Sequence, residues 1–513
     1  MLLNLTLAVS LTGLILILWR MYVRRRSAYR SLPLPPGPKP LPLVGNAFEL
    51  PTTLPWRTYA QWSDMYGDMI FVRAFGTPML ILNTLEDSVE LLEKRSSIFS
   101  DRLETEMVAL MGWDWNPVTM GYSQWWRRHR RGFHQYFNQA AVSAYEPKIY
   151  NSAQQMLQRL YNEPKKFADH IRYQFGVNIL SVVYGIDVAE KGDEHILIAE
   201  KAMQALAEGF NPGAFWVDFL PILKYVPAWM PGAGFRTKAA DWKLSTSAMK
   251  EKAWADAVKD DVNSSIAAKL AERMSHLEGE ELAEEENVAK NVCGVAYAGG
   301  IDTTVSTLHS FFLAMLLYPE VQRRAQQQLA EVVGPNRLPE FSDQPSLPYI
   351  DAICKECMRW QPVVPLNVPH RSTADDEYKG YLIPKGTLVI QNTWAILHNP
   401  EEYPDPEEFN PNRYLKDGEL NPEIRDPSIT AFGAGRRICP GRYFSDLTLF
   451  MNVACILHTF DITPALDDHG KPIEVEPRMQ TAMLSHPYPF DCIIKPRSRL
   501  AETLILGQGH VKA

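Results

Sequence analysis

The sequence lacks most of what would mark a secreted or nucleic-acid-binding protein. Six cysteines in 513 residues (Cys293, Cys354, Cys357, Cys439, Cys455 and Cys492) are too sparse for a disulfide framework. Cys354-x-x-Cys357 has no second C-x-x-C, and no H-x3–5-H pair lies where a zinc site would need it, so it reads as two positions on a helix face. Basic charge is not in excess. A net charge of −8 and a pI near 5.9 leave no electrostatic footprint for nucleic acid. Tandem repeats and low-complexity tracts are absent, apart from one proline-rich segment. No acidic residue occurs before Glu49.

That acid-free start is organised. Leu2 to Trp19 carries no charge over 18 residues, close to the ~20 that span a bilayer. Arg20, Arg24, Arg25, Arg26 and Arg30 follow, which predicts that the C-terminal side stays in the cytoplasm. A cleaved signal peptide would want charge before the apolar run and a small-residue cleavage site after it, and neither is present. Six prolines between Pro33 and Pro42 then predict a stiff, extended linker. The expected division is an anchor helix over 1–20, a basic and proline-rich hinge over 21–45, a folded body over 46–500 and a tail over 501–513.

The whole chain is 46% hydrophobic and 22% charged, ample for a core. Phe71–Phe75, Met79–Leu82 and Thr387–Thr393 read as short strands, and Thr481–Ser485 with Tyr488–Ile494 as a final hairpin. Met107–Met120 is rich in Met and Trp without a clear period. Phe210–Phe235 is too apolar for an ordinary loop and too rich in proline for one helix. It reads as a membrane contact or as a proline-broken core segment.

Asn287 to Tyr318 predicts a long buried helix whose middle breaks helix rules: Gly299-Gly300-Ile301-Asp302-Thr303-Thr304. Each interior glycine costs about 1 kcal/mol relative to alanine. Asp302 is a charge in apolar surroundings, which needs a partner or a job. Trp126 and Arg130, in the basic run Trp125–Arg131, share one helix face and together suit a carboxylate. Arg127, Arg128 and Arg131 read as a solvated face or a dock for an acidic partner. Two E-x-x-R patterns occur. Glu320–Arg323 sits in polar text and should be exposed, whereas Glu356–Arg359 is flanked by Ile350, Ile353 and Trp360 and should be a partly buried ion pair.

The most specific stretch is Phe432-Gly433-Ala434-Gly435-Arg436-Arg437-Ile438-Cys439-Pro440-Gly441, followed by helix-like text from Tyr443 to Thr459. It presents one cysteine at a helix start, where a thiolate is stabilised. The pattern F-x-x-G-x-R-x-C-x-G has a chance expectation on the order of 10⁻⁴ in a chain of this length. It resembles the haem-binding loop of the cytochrome P450 family. Pro35-Pro36-Gly37-Pro38, W-x-x-x-R at Trp126, G-G-x-D-T at Gly299, E-x-x-R at Glu356 and F-x-P-x-R at Phe409 follow that family's order. The style is similar to fungal, basidiomycete-like enzymes of secondary metabolism, of the O-methylsterigmatocystin oxidoreductase-like group.

The resemblance implies a mainly α fold with a small β region, the cytochrome P450 fold, preceded by an N-terminal transmembrane helix. It implies haem b with Cys439 as axial thiolate ligand, and Phe432 and Gly433 in the loop around it. Trp126, Arg130, His370, Arg437 and Arg102 would neutralise the haem propionates. Asp302 and Thr303 would deliver protons, and Glu356, Arg359 and Arg413 would form a structural triad behind the loop. Val364, Leu366, Val368, Met483 and Leu484 would lie near substrate. The activity implied is monooxygenation of an apolar small molecule, terpenoid-like or polyketide-like. Electrons would come from NADPH through NADPH–cytochrome P450 reductase, with cytochrome b5 as a further candidate donor. The expected location is the endoplasmic reticulum membrane, single-pass, with the catalytic domain cytosolic. A P450-fold isomerase, dehydratase or peroxygenase would be expected to lose the Asp302–Thr303 pair. A non-catalytic haem-binding protein is the remaining alternative.

Overall fold

The computed structural model describes residues 32–210, 215–259 and 264–507. The anchor helix expected over 1–20 and the basic half of the hinge lie outside these residues.

The proline-rich segment is no free spacer where it is described. Phe71 N donates to Pro36 O and Leu382 N to Pro33 O, both at 2.8 Å. The segment thus lies along strand β1 (Met69–Ala74), which turns at Phe75–Gly76 into β2 (Thr77–Leu82). Strands β3 (His370–Arg371) and β4 (Leu388–Gln391) complete a sheet of order β1–β2–β4–β3, with β4 parallel to β2 and antiparallel to β3. The expected final hairpin does not form. Met479 and Pro487 bridge to close a turn, and β5 (Phe460–Pro464) pairs instead with β6 (Cys492–Pro496). Pro489 removes a ladder donor from the expected Tyr488–Ile494 strand. Pairing with β5 places Ile494 in the same core as Ile462.

Helices make up the rest of the core. Helix α1 (Gln124–Phe137) starts at Ser123, whose Oγ accepts from Trp126 N. Helices α2 (Phe167–Val183) and α3 (Glu194–Gly209) pack against α4 (Gly279–Leu317). The 39-residue α4 begins eight residues before its expected start, because the acidic stretch from Glu280 to Glu286 is itself helical. Glu280 and Glu281 occupy its first turn, where negative charge is favoured. From Val288 onward nearly every side chain is buried, as in a helix covered on all sides. A Cβ on Gly300 would lie 2.7 Å from Ile179 Cγ1, so this glycine permits the close crossing of α2 and α4. Helix α5 (Pro348–Trp360) carries the E-x-x-R pair, and α6 (Arg442–Thr459) follows the cysteine loop. A last helix, Arg499–Ile505, buries Ala501 and Ile505, so the body runs past the boundary expected at 500.

Candidate active site

The cysteine loop is held by its backbone. Cys439 N donates to Phe432 O at 2.7 Å, closing the loop on itself. Gly433 and Gly435 have φ of 79° and 57°, where a side chain is strained. At Gly435 a Cβ would also lie 2.1 Å from Leu92 O. Helix α6 starts at Arg442 with Gly441 as its cap, so Pro440 precedes the helix rather than opening it. This alters the expectation for the thiol. Burial pushes Cys439 up, and the Gly441 N–H and the Arg130 charge only partly oppose that. The helix start alone does not make the anion here; coordination to a metal would.

Behind the loop, Glu356 and Arg359 are fully buried. Arg359 Nε and Nη2 each donate to Glu356 at 2.8 Å, Asn410 N donates at 2.8 Å and Arg413 Nε at 3.2 Å. The second E-x-x-R pattern is exposed at Glu320 and Arg323, as its polar neighbours predict.

Cys439, Pro440 and Phe432 line a cavity of about 320 Å³ together with Thr303 and Gly299 of α4. The two helices meet beside it, where Thr304 Oγ1 lies 3.2 Å from Ser445 Oγ. A Cβ on Gly299 would meet nothing within 4 Å, so this glycine faces the cavity. Thr303 Oγ1 donates to Gly299 O at 2.7 Å. Arg102, Trp126, Arg130 and Arg437 also line the cavity. Ile179, Met203, Leu206 and Phe210 add apolar wall; the three helix positions do not stand out in the sequence as anything but core, whereas Phe210 opens the apolar 210–235 segment. Within 107–120, Met107, Met111 and Trp113 are core, while Asn116 to Thr119 reach the cavity.

Four residues expected at the site lie outside the lining. Leu366 packs instead against the cluster of Ile70, Val72, Ile81 and Ile390. His370 is buried in β3, and its Nδ1 lies 2.6 Å from Phe99 O. Gly433 packs against Asn367, which takes the place in the lining that the glycine does not reach. Asp302 turns away from the cavity, with Oδ1 3.4 Å from His486 Nε2. Burial alone would raise its carboxyl, but the His486 hydrogen bond and the His486 and Arg172 charges hold it below the usual range. Arg128 does not dock outward; it pairs with Glu284 and Glu285 of α4 at 2.7 and 2.6 Å.

The donor set fits a haem. Arg102, Arg130 and Arg437 have no carboxylate partner among the described residues. Burial pushes the Arg102 guanidinium well below its usual range, and the Arg437 charge adds to this. Arg437 itself is pushed down to about 10 by burial, with Arg130 adding to the shift. Such crowding of buried cations is relieved by a dianion such as the two propionates. Cys439, which lines the same cavity, is half-buried whereas the other five cysteines are buried, and the protein around its thiol still desolvates it.

Comparison with known proteins agrees. The family described as Cytochrome P450 matches residues 35–493. Cytochrome P450 monooxygenase COX2 of Coprinopsis cinerea is 44% identical over 481 residues, 93% of this chain and 91% of that protein. Tryptamine 4-monooxygenase of Psilocybe cyanescens is 41% identical over 486 residues, 93% and 96% of the two chains. A solved zebra fish cytochrome P450, in a structure with abiraterone, superposes with a TM-score of 0.70 over 86% of this chain and all of that one, at 23% identity. That likeness shows the fold, and the fungal relatives share the activity in their names. The chain therefore belongs to the cytochrome P450 family, as a monooxygenase of the fungal kind.

Proposed function

We propose that the protein is a haem-thiolate monooxygenase of secondary metabolism acting on an apolar, terpenoid-like small molecule. One observation carries the reading: Cys439, Thr303 and three uncompensated arginines line one largely apolar cavity. When bound, haem supplies the oxygen chemistry, one atom of O2 going into the substrate and the other into water. Cys439 Sγ would hold the haem iron. Arg102, Arg130 and Arg437 would hold the propionates; Trp126, whose N–H is already given to Pro117 O, supports Arg437 by stacking rather than reaching a propionate itself. His370 fixes the 362–371 segment, whose Val368 and Pro369 carbonyls accept from Arg102 Nη1.

Thr303 Oγ1 faces the cavity and holds a proton-bearing water there, and Asp302 behind it supplies the proton. Gly299 leaves room for that water. This pair disfavours an isomerase, a dehydratase or a passive haem carrier. The cavity lining includes no Asp, Glu or Lys among the described residues. A protonated amine such as tryptamine would be left unpaired there, which favours a neutral substrate.

Electrons come from NADPH through a reductase. Arg127 and Arg131, exposed on α1 without a carboxylate partner among the described residues, are candidate contacts for it. The protein sits on the endoplasmic reticulum membrane with its body in the cytosol. The apolar run Leu2–Trp19 and the exposed Trp216, Ile222 and Trp229 support this. The test is NADPH consumption with a reductase and a terpenoid pool. Thr303→Ala should keep the thiolate-type CO spectrum while product formation falls on the order of 10²-fold. Full coupling of NADPH to product in that variant would contradict the proton-delivery role.

A further inference from the structure

Asp302 meets an imidazole where a fixed cation would serve a purely structural link better. Its Oδ1 lies 3.4 Å from His486 Nε2, with the two side chains 20% and 14% exposed. His486 Nδ1 is buried without a hydrogen-bond partner among the described residues. His486 rides on the turn closed by Met479 and Pro487. That turn is pinned in place: Ser306 Oγ of α4 donates to Ser485 O, and Ser485 N donates to Val363 O at 2.8 Å. Met483 and Leu484 of the same turn line the cavity. The other charged or titratable groups around the pair are His309 of α4, its ring 6.1 Å from that of His486, and Arg172 of α2.

We propose that His486 is a positioning residue for Asp302 that both holds the carboxylate behind the cavity and recharges it with protons. The inference rests on the monooxygenase reading, in which Asp302 and Thr303 serve the reaction. An imidazole gains and loses a proton near neutrality, which neither arginine nor lysine does. The step moves one proton and no electrons. The N–H on Nε2 of charged His486 breaks and an O–H forms on Asp302, leaving a neutral imidazole and a carboxylic acid. Asp302 passes that proton to water beside Thr303, and His486 takes another from solvent. His309 stays neutral throughout, because burial pushes it down to about 4.

The test uses the full-chain holoenzyme and a readout independent of turnover. Infrared difference spectra against pH report the carboxylic-acid band of Asp302, identified by its loss in Asp302→Asn. In His486→Gln that band should appear at a pH higher by about one unit, the shift expected when an opposite charge is removed. An unmoved band would overturn the pairing. With reductase and substrate, His486→Gln keeps an N–H donor but cannot relay a proton, so product per NADPH should fall several-fold, as in His486→Ala. Wild-type coupling in His486→Gln would overturn the relay. The thiolate-type CO band, recorded for each variant, reports an intact fold. Its absence from the unmodified protein would instead mark failure of the monooxygenase reading.

Discussion

The guanidinium of Arg437 lies 4.2 Å over the indole of Trp126, and both donate to one carbonyl, that of Pro117, at 3.2 and 3.1 Å. Arg437 also donates to Ser100 O and Met120 O, at 2.8 Å each. It therefore clasps the cysteine loop to α1 and to the 100–120 segment, besides bringing charge. Arg130 has no hydrogen-bond partner among the described residues and brings charge alone. Arg437→Lys, which cannot reproduce that fork, should cost about 2 kcal/mol or more of stability as well as haem. Arg130→Leu should lower the haem-to-protein absorbance ratio with little loss of stability. Equal losses of stability in urea titrations would refute this division of roles.

The two E-x-x-R patterns give a paired test. Glu356→Gln leaves two buried arginines short of their anion and should cost about 3–5 kcal/mol. Glu320→Gln, on an exposed helix start, should stay within about 0.5 kcal/mol. Urea titration of both variants measures the difference.

Gly299 and Gly300 are neighbours with opposite constraints. Gly300→Ala drives a methyl into Ile179 and should cost about 1–3 kcal/mol. Gly299→Ala adds a methyl to open space and should be neutral or gain up to about 1 kcal/mol. It narrows the cavity, so the product profile should change while stability does not. Thermal midpoints and product analysis separate the two effects.

These pairs show what a single sequence carries and what it does not. The cysteine loop was readable because each fixed position has a local cause: a positive φ, a close approach, a ligand. The Glu356 pair was separable from its decoy because burial shows in the neighbouring side chains. The cavity wall was not readable. Ile179, Met203 and Leu206 are apolar residues in apolar helices, and helical period cannot distinguish a core-facing position from a cavity-facing one. The Asp302–His486 contact joins α4 to a turn far along the chain, and no local signal announces it. The thiol's burial, which opposes ionisation, was hidden for the same reason.

Stability should fall in acid. Burial pushes His309 and His458 down to about 4, from about 6.5 in an unfolded chain. A lowered histidine favours the neutral form when folded, so the unfolded state binds more protons between about pH 6.5 and 4. That contribution is present above about pH 6.5 and is lost as pH falls, by up to ~1.4 kcal/mol per unit for each histidine. Urea titrations across this range should show the slope, and His458→Gln should reduce it by one histidine's share. An unchanged slope in the variant would assign the acid loss to other groups.

The central claim is that Cys439 binds haem iron as a thiolate. The spectrum of the reduced, CO-bound protein tests it most directly. A thiolate-type band is expected in the unmodified protein, and its loss in Cys439→Ala. A unmodified protein without that band, or a Cys439→Ala variant that retains it, would contradict the assignment.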